Sequence, residues 1–348
     1  MCAHQYAHLL VKAESPLGWV NSQIANFLGT DVTLWLIFNL VIALMLAFDL
    51  GVLSRKPHVI STKEAATWSA VWIAVSLMFN LLVSTWLGGE KALEFFTGYL
   101  IEKSLSVDNM FVFTMIFSYF NIPAIWQPKV LKWGIFGALL MRVILIFAGA
   151  VVLDAFHWMI YVFGGVLVFT GLRMMTQKET HVAPEKNPVV RLFKKIMSLT
   201  GELHDEKFFV KLNGITYATP LLIALIVVET TDLIFAIDSI PAVFAITTDV
   251  FIVYTSNIFA ILGLRALYFL LSGAMQHFRY LKVGLAIVLL FVGIKMVLAD
   301  FYEIPIVLSL AVVLGILAAS ILASWAPRTR NWHTVNSSTS RSTGIHER

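Results

Sequence analysis

Apolar runs long enough to cross a bilayer recur along nearly the whole chain, and this recurrence leaves few structures open to it. A helical span needs roughly 20 apolar residues. Inside lipid every backbone polar group must find its partner within the protein, so only helices and closed barrels can cross. Barrel strands would be short and alternating; these runs are long and continuous. Of 348 residues, 59% are hydrophobic and 13% charged, against about 25% charged in soluble chains. The expectation is an all-α polytopic membrane protein, with the lipid bilayer as its solvent. The net charge of +4 is not a nucleic-acid signal, because the basic residues sit in short loops. The single cysteine, Cys2, allows neither an internal disulfide nor a thiolate cluster.

Nine spans are expected, near residues 33–53, 67–87, 93–119, 131–153, 156–175, 216–245, 251–273, 281–299 and 304–325. Residues 1–30 read as an extension without the features of a cleavable signal peptide, and 326–348 as a disordered cytoplasmic tail. The sixth span contains Pro220 and Pro241, and a bend or break is expected there. Basic residues alternate from loop to loop. Arg55, Lys56 and Lys63 follow the first span, Lys129 and Lys132 the third, and seven more the fifth, from Lys178 to Lys211. Arg279 and Lys282 follow the seventh, and the tail adds four arginines. The positive-inside rule then predicts an inner (cytoplasmic) membrane protein with its N-terminus outside and its C-terminus cytoplasmic.

Two segments resemble each other. An acid is followed six residues later by an aspartate, as Glu102 and Asp108 in IEKSLSVDNMFVF and as Asp232 and Asp238 in TDLIFAIDSIPAVF. A helix with an arginine at matching depth comes next: GIFGALLMR ends at Arg142, and NIFAILGLR at Arg265. The third helix closes with FTGLRM, holding Gly171 and Arg173, or with FVGIKM, holding Gly293 and Lys295. Three helices per unit make the two units antiparallel in the membrane. Inverted repeats of this kind are a transporter architecture with the substrate site between the halves. The chain then divides into two peripheral helices (33–87), a first three-helix repeat (93–175), a cytoplasmic loop (176–215), a second repeat (216–299) and a final span (304–325).

A charge at the bilayer centre costs about 2.5–3.5 kcal/mol on insertion scales, so intramembrane acids need a reason. Glu102, Asp108, Glu229, Asp232 and Asp238 lie within apolar spans, and Asp49 lies near the end of the first. Ion pairing with Lys103, Arg142, Arg265 and Lys295 is one reason; five acids against four cations leave a carboxylate over. The arginines are expected to hold some acids in place while others face a central cavity that favours cations. Residues six apart point about 120° apart on a helix. Glu102 and Asp108, or Asp232 and Asp238, can therefore meet one ion only where a helix opens, as Pro241 could allow. The donors are oxygens: the carboxylates, the Asn109 amide and the Ser239 hydroxyl. Oxygen sets suit Mg, Ca or Mn. Met110 could favour Mn²⁺ if it does more than pack. No intramembrane His or Cys cluster supports a haem, zinc or redox centre, no nucleotide-binding loop supports ATP drive, and no cofactor is expected.

The segments GYLIEKSLSVDNMFVF and VVETTDLIFAIDSIPAVFAITTDVFIVYTSNIFAILGLRALYF resemble the TerC family of integral membrane proteins, over roughly residues 35–325. The resemblance implies membership of a LysE-like superfamily of exporters, with manganese export as the activity and no enzymatic one. It places Glu102, Asp108, Asn109, Glu229, Asp232 and Asp238 on a metal path; the reading of the charges above adds Asp49, Arg142, Arg265 and Ser239 as supporting residues. Apart from the resemblance, buried carboxylates could exchange protons for metal, so the expected partners are a divalent cation and, as coupling ion, protons. The alternatives are a Ca²⁺ or tellurite-related transporter and a non-transporting scaffold or helper for metalloproteins.

Overall fold

The structure, a computed structural model, describes residues 32–51, 60–176, 187–212, 214–272 and 280–325. The terminal segments assigned as an extension and a tail lie outside these residues. The membrane-length elements are all helices: α1 (Val32–Gly51), α2 (Thr62–Trp86), α3 (Gly89–Tyr119), α4 (Gln127–Ala155) and α5 (Met159–Thr176). Then come a short helix α6 (Pro188–Ile196) and an antiparallel ribbon of β1 (Phe209–Leu212) and β2 (Ile215–Ala218). The chain continues with α7 (Pro220–Phe244), α8 (Val250–Ile261), α9 (Leu264–Ser272), α10 (Leu281–Val297) and α11 (Ile306–Trp325). The segment expected to be only a loop thus carries structure of its own.

Local chemistry sets several helix starts. Ser61 caps α2 by accepting from the Glu64 amide at 3.2 Å. Asp249 caps α8 by accepting from the amides of Phe251 (3.0 Å) and Ile252 (3.4 Å), which satisfies donors a helix leaves open. Pro220 sits in the first turn of α7, where no amide hydrogen is needed.

Among the described residues six helices are long and apolar enough to cross a membrane, or seven if α8 and α9 are one bent span. This is fewer than the nine expected. Even the inner half of α3 holds Glu102, Lys103 and Asp108, and α10 has 17 residues, just short of the ~20 that a span needs. Large apolar side chains such as Leu36, Leu81, Leu140 and Leu322 are exposed on the outside of the bundle, as a lipid-facing surface requires. At the centre lies α8, whose twelve residues are all buried.

The expected break at Pro241 does not occur. α7 runs unbroken to Phe244, with Pro241 in its last turn, where one missing amide disturbs little. The bend falls instead in the seventh span. α8 and α9 meet at 45° through Leu262 and Gly263, and Gly263 has φ +78°. A Cβ on Gly263 would also lie 2.6 Å from the Trp72 ring. Glycine alone satisfies both demands.

The last helices of the two matched segments pack antiparallel on each other through their glycines. A Cβ on Gly293 would stand 2.9 Å from the Gly164 carbonyl oxygen, and one on Gly171 would stand 2.9 Å from that of Ala286. Small residues let membrane helices approach closely. One end of the pair is clipped by Asp300, which accepts from the Tyr161 hydroxyl at 2.6 Å and contacts His157 Nε2 at 3.1 Å. Those two hydrogen bonds hold its carboxyl below the usual range. We predict that Gly293→Val destabilises the protein by about 1–3 kcal/mol through overpacking. Gly165→Ala, with nothing within 4 Å of its Cβ, should leave thermal unfolding in detergent unchanged.

Candidate functional site

Five of the six acids singled out in the sequence fall into three groups. The first surrounds Arg142, a fully buried arginine in the middle of α4. Its Nη1 pairs with Glu102 of α3 and donates to the Asn257 amide oxygen of α8 at 2.8 Å. Asp232 of α7 lies 3.7 Å from Nη2, too far for a hydrogen bond but close enough for an ion pair. Ser239 Oγ is 3.5 Å from Nη1. One guanidinium thus joins both acidic motifs. Glu102 Oε2, Asp232 Oδ2, Ser106 Oγ and Arg142 Nε and Nη2 are buried without a hydrogen-bond partner. Such a cluster in low dielectric is a place for ordered water.

The second group is Asp49 with Arg265. Arg265 Nη2 donates to Asp49 Oδ1 at 3.1 Å and to the Asp49 carbonyl at 3.3 Å. This pair fastens α1 to α9. The third group lines a cavity of about 290 Å³. Asp108 and Asn109 enter it from α3, and Asp238 and Ser239 from α7. The Thr170 hydroxyl of α5 donates to Asp238 Oδ1 at 2.9 Å. Arg173, exposed at the end of α5, and Lys282, at the start of α10, complete its polar wall. The expected net negative cavity is therefore balanced, with two carboxylates facing two cations.

Glu229 joins none of these groups. Its carboxylate occupies a notch on α4, where a Cβ on Gly137 would clash with both oxygens, and Oε2 is buried without a partner. Met110 packs in the core beside a small void of about 20 Å³ that Asp232 also touches. Of the expected counter-ions, Lys103 bonds backbone carbonyls, and among the described residues neither it nor Lys295 pairs with a motif acid. Among those residues, too, no three His, Cys, Asp or Glu side chains come close enough to hold a metal ion.

The geometry follows from the helical period. Residues six apart face different directions on an unbroken helix, so Glu102 and Asp232 turn to Arg142 while Asp108 and Asp238 turn to the cavity. Ser239, next to Asp238, touches both places. Asn257, Thr170 and Lys282 escaped the sequence reading as site residues. Asn257 and Thr170 carried a signal, since each stands inside one of the blocks that define the repeat.

A helical bundle with buried, arginine-held carboxylates beside a polar intramembrane cavity is a polytopic membrane protein built around intramembrane charge. The integral membrane protein TerC family model matches residues 87–331, and the chain belongs to that family. It is 53% identical over 291 residues to the uncharacterized membrane protein STKORF319 of Myxococcus xanthus, covering 84% of this chain and 91% of that protein. It is 50% identical over 310 residues to the Escherichia coli (strain K12) protein named "Putative membrane-bound redox modulator Alx", covering 86% and 96%. A Rickettsia felis membrane protein is 41% identical over 290 residues, covering 83% and 96%. No solved structure matches the chain.

Replacing Arg142 by Met leaves Glu102 and Asp232 buried and uncompensated. We predict a loss of about 3–5 kcal/mol, the usual effect of removing one partner of a buried pair. Adding Glu102→Gln and Asp232→Asn should recover a good part of it in thermal unfolding.

Proposed function

We propose that this protein is a secondary transporter that exports a divalent cation, Mn²⁺, across the cytoplasmic membrane by alternating access. One observation carries the reading. Asp108 and Asn109 of the first motif and Asp238 and Ser239 of the second meet in one cavity. Their oxygens are the hard donors that Mn²⁺ takes.

The packing supports nine spans and two inverted repeats. Exchanging α3 with α7, α4 with α8–α9, and α5 with α10 reproduces the main helix pairs. α3 packs on α8 as α7 packs on α4, and α5 packs on α10. With the N-terminus outside, Arg173 and Lys282 fall at the cytoplasmic end, and the cavity is on the side from which an exported ion enters. In this state Lys282 and Arg173 stand in for the substrate charge, and an arriving dication displaces them. Outward movement of two charges costs about 4.6 kcal/mol per 100 mV, which entry of protons onto the vacated carboxylates offsets.

The basic side chains in the cavity favour a second reading, transport of an oxyanion such as tellurite. Arg142 and Arg265 are held by Glu102 and Asp49, but Arg173 and Lys282 face the cavity. Flux in proteoliposomes separates the two readings. We expect Mn²⁺ flux that excess tellurite does not inhibit, and a fall of about ten- to a hundredfold in Asp108→Asn and Asp238→Asn, on the scale of other losses around a metal. Wild-type flux in both variants would remove the cavity carboxylates from the mechanism.

A further inference from the structure

The bend between α8 and α9 opens the backbone inside the bundle. The last carbonyls of a helix lack intrahelical donors, and the helix dipole concentrates negative charge there. Two of the carbonyls at this bend, those of Ala260 and Leu262, accept from one donor, Lys103 Nζ, at 3.1 and 3.2 Å. Lys103 belongs to α3, one residue after Glu102, and reaches the bend from a neighbouring helix. Its ammonium has no carboxylate within ion-pair distance among the described residues. The Tyr99 ring lies 6.0 Å away, within range of a weak cation–π attraction. A charge kept inside a membrane bundle ordinarily has a counter-charge; among the described residues this one has backbone oxygens and an aromatic face instead.

Carbonyls freed at a broken membrane helix are the usual ligands of a small monovalent cation in such bundles. An ammonium is close in size to a potassium ion and satisfies the same oxygens. We propose that the α8–α9 bend is a monovalent-cation site that the chain fills with its own tethered cation, Lys103. The ammonium screens the carbonyls that α8 leaves open, and it pins the helix of the first acidic motif to the bend of the second half. Glu102 and Arg265, on either side of this pin, are held by Arg142 and Asp49. The inference rests on the bend and its carbonyls, and it holds whichever ion the cavity carries.

Removing the side chain should open the site to a free ion. The full-length protein is purified in detergent with Lys103→Ala and, separately, Lys103→Met, and melting is followed in choline chloride and then in NaCl or KCl. Wild-type melting should not change with the cation. Lys103→Ala should melt about 3–6 °C lower in choline chloride, the scale of a lost hydrogen-bonded charge in a chain of this size. It should recover most of that loss in NaCl or KCl. Lys103→Met, which fills the space without a charge, should melt low in every salt. If Lys103→Ala folds only when purified in NaCl or KCl, that supports the site as well. A Lys103→Ala protein that melts like the wild type in choline chloride, or one that stays equally low in all three salts, overturns the proposal. So does failure of Lys103→Ala in every salt beside a folded, wild-type-like Lys103→Met.

Discussion

Arg142 is the interaction on which the rest of the molecule is organised. A single guanidinium at the centre of α4 meets Glu102 from α3, Asp232 and Ser239 from α7, and Asn257 from α8. These partners come from three other helices, so the positions of four helices, α4 included, are tied to one planar group with five donors. In a low-dielectric interior these charges are tolerable only together. The attraction outweighs the desolvation only while the geometry is kept, which makes the centre of the bundle stiff.

Stiffness there leaves the remaining carboxylates to do other work. Asp108 and Asp238 stand six residues beyond the held acids on the same two helices. Because neither helix is broken, those residues point away from the arginine and into the cavity. The same two helices thus carry a structural acid and an accessible acid apiece. Ser239 touches both environments, and the unpartnered oxygens of Glu102 and Asp232 are places for ordered water.

Around this centre, packing depends on small residues more than on large ones. The glycines at 164, 171 and 293 bring α5 and α10 into backbone contact, and Gly137 opens the notch that accommodates Glu229. In lipid no hydrophobic drive presses helices together, so close fit and internal polar contacts must do so. Gly263 differs in kind: its positive φ turns the chain and exposes the carbonyls that Lys103 covers.

Much of this was written in local pattern. The apolar runs dictated helices, because lipid offers the backbone no partners. The matched blocks around Glu102–Asp108 and Asp232–Asp238, and the arginines at matching depth, pointed to the residues that meet at the centre and in the cavity. Periodicity even indicated that the two acids of each motif would diverge. Tertiary structure decided what periodicity cannot hold: which cation faces which acid. Arg142 took acids from both halves, Arg265 took Asp49, Lys103 took backbone oxygens, and Arg173 and Lys282 balanced the cavity. It also moved the break from Pro241 to Gly263. A proline in a last turn removes one hydrogen bond, whereas a glycine pressed against Trp72 redirects the chain. Charge pairing and close contact are properties of residues far apart in sequence, and they exist only once the helices have packed.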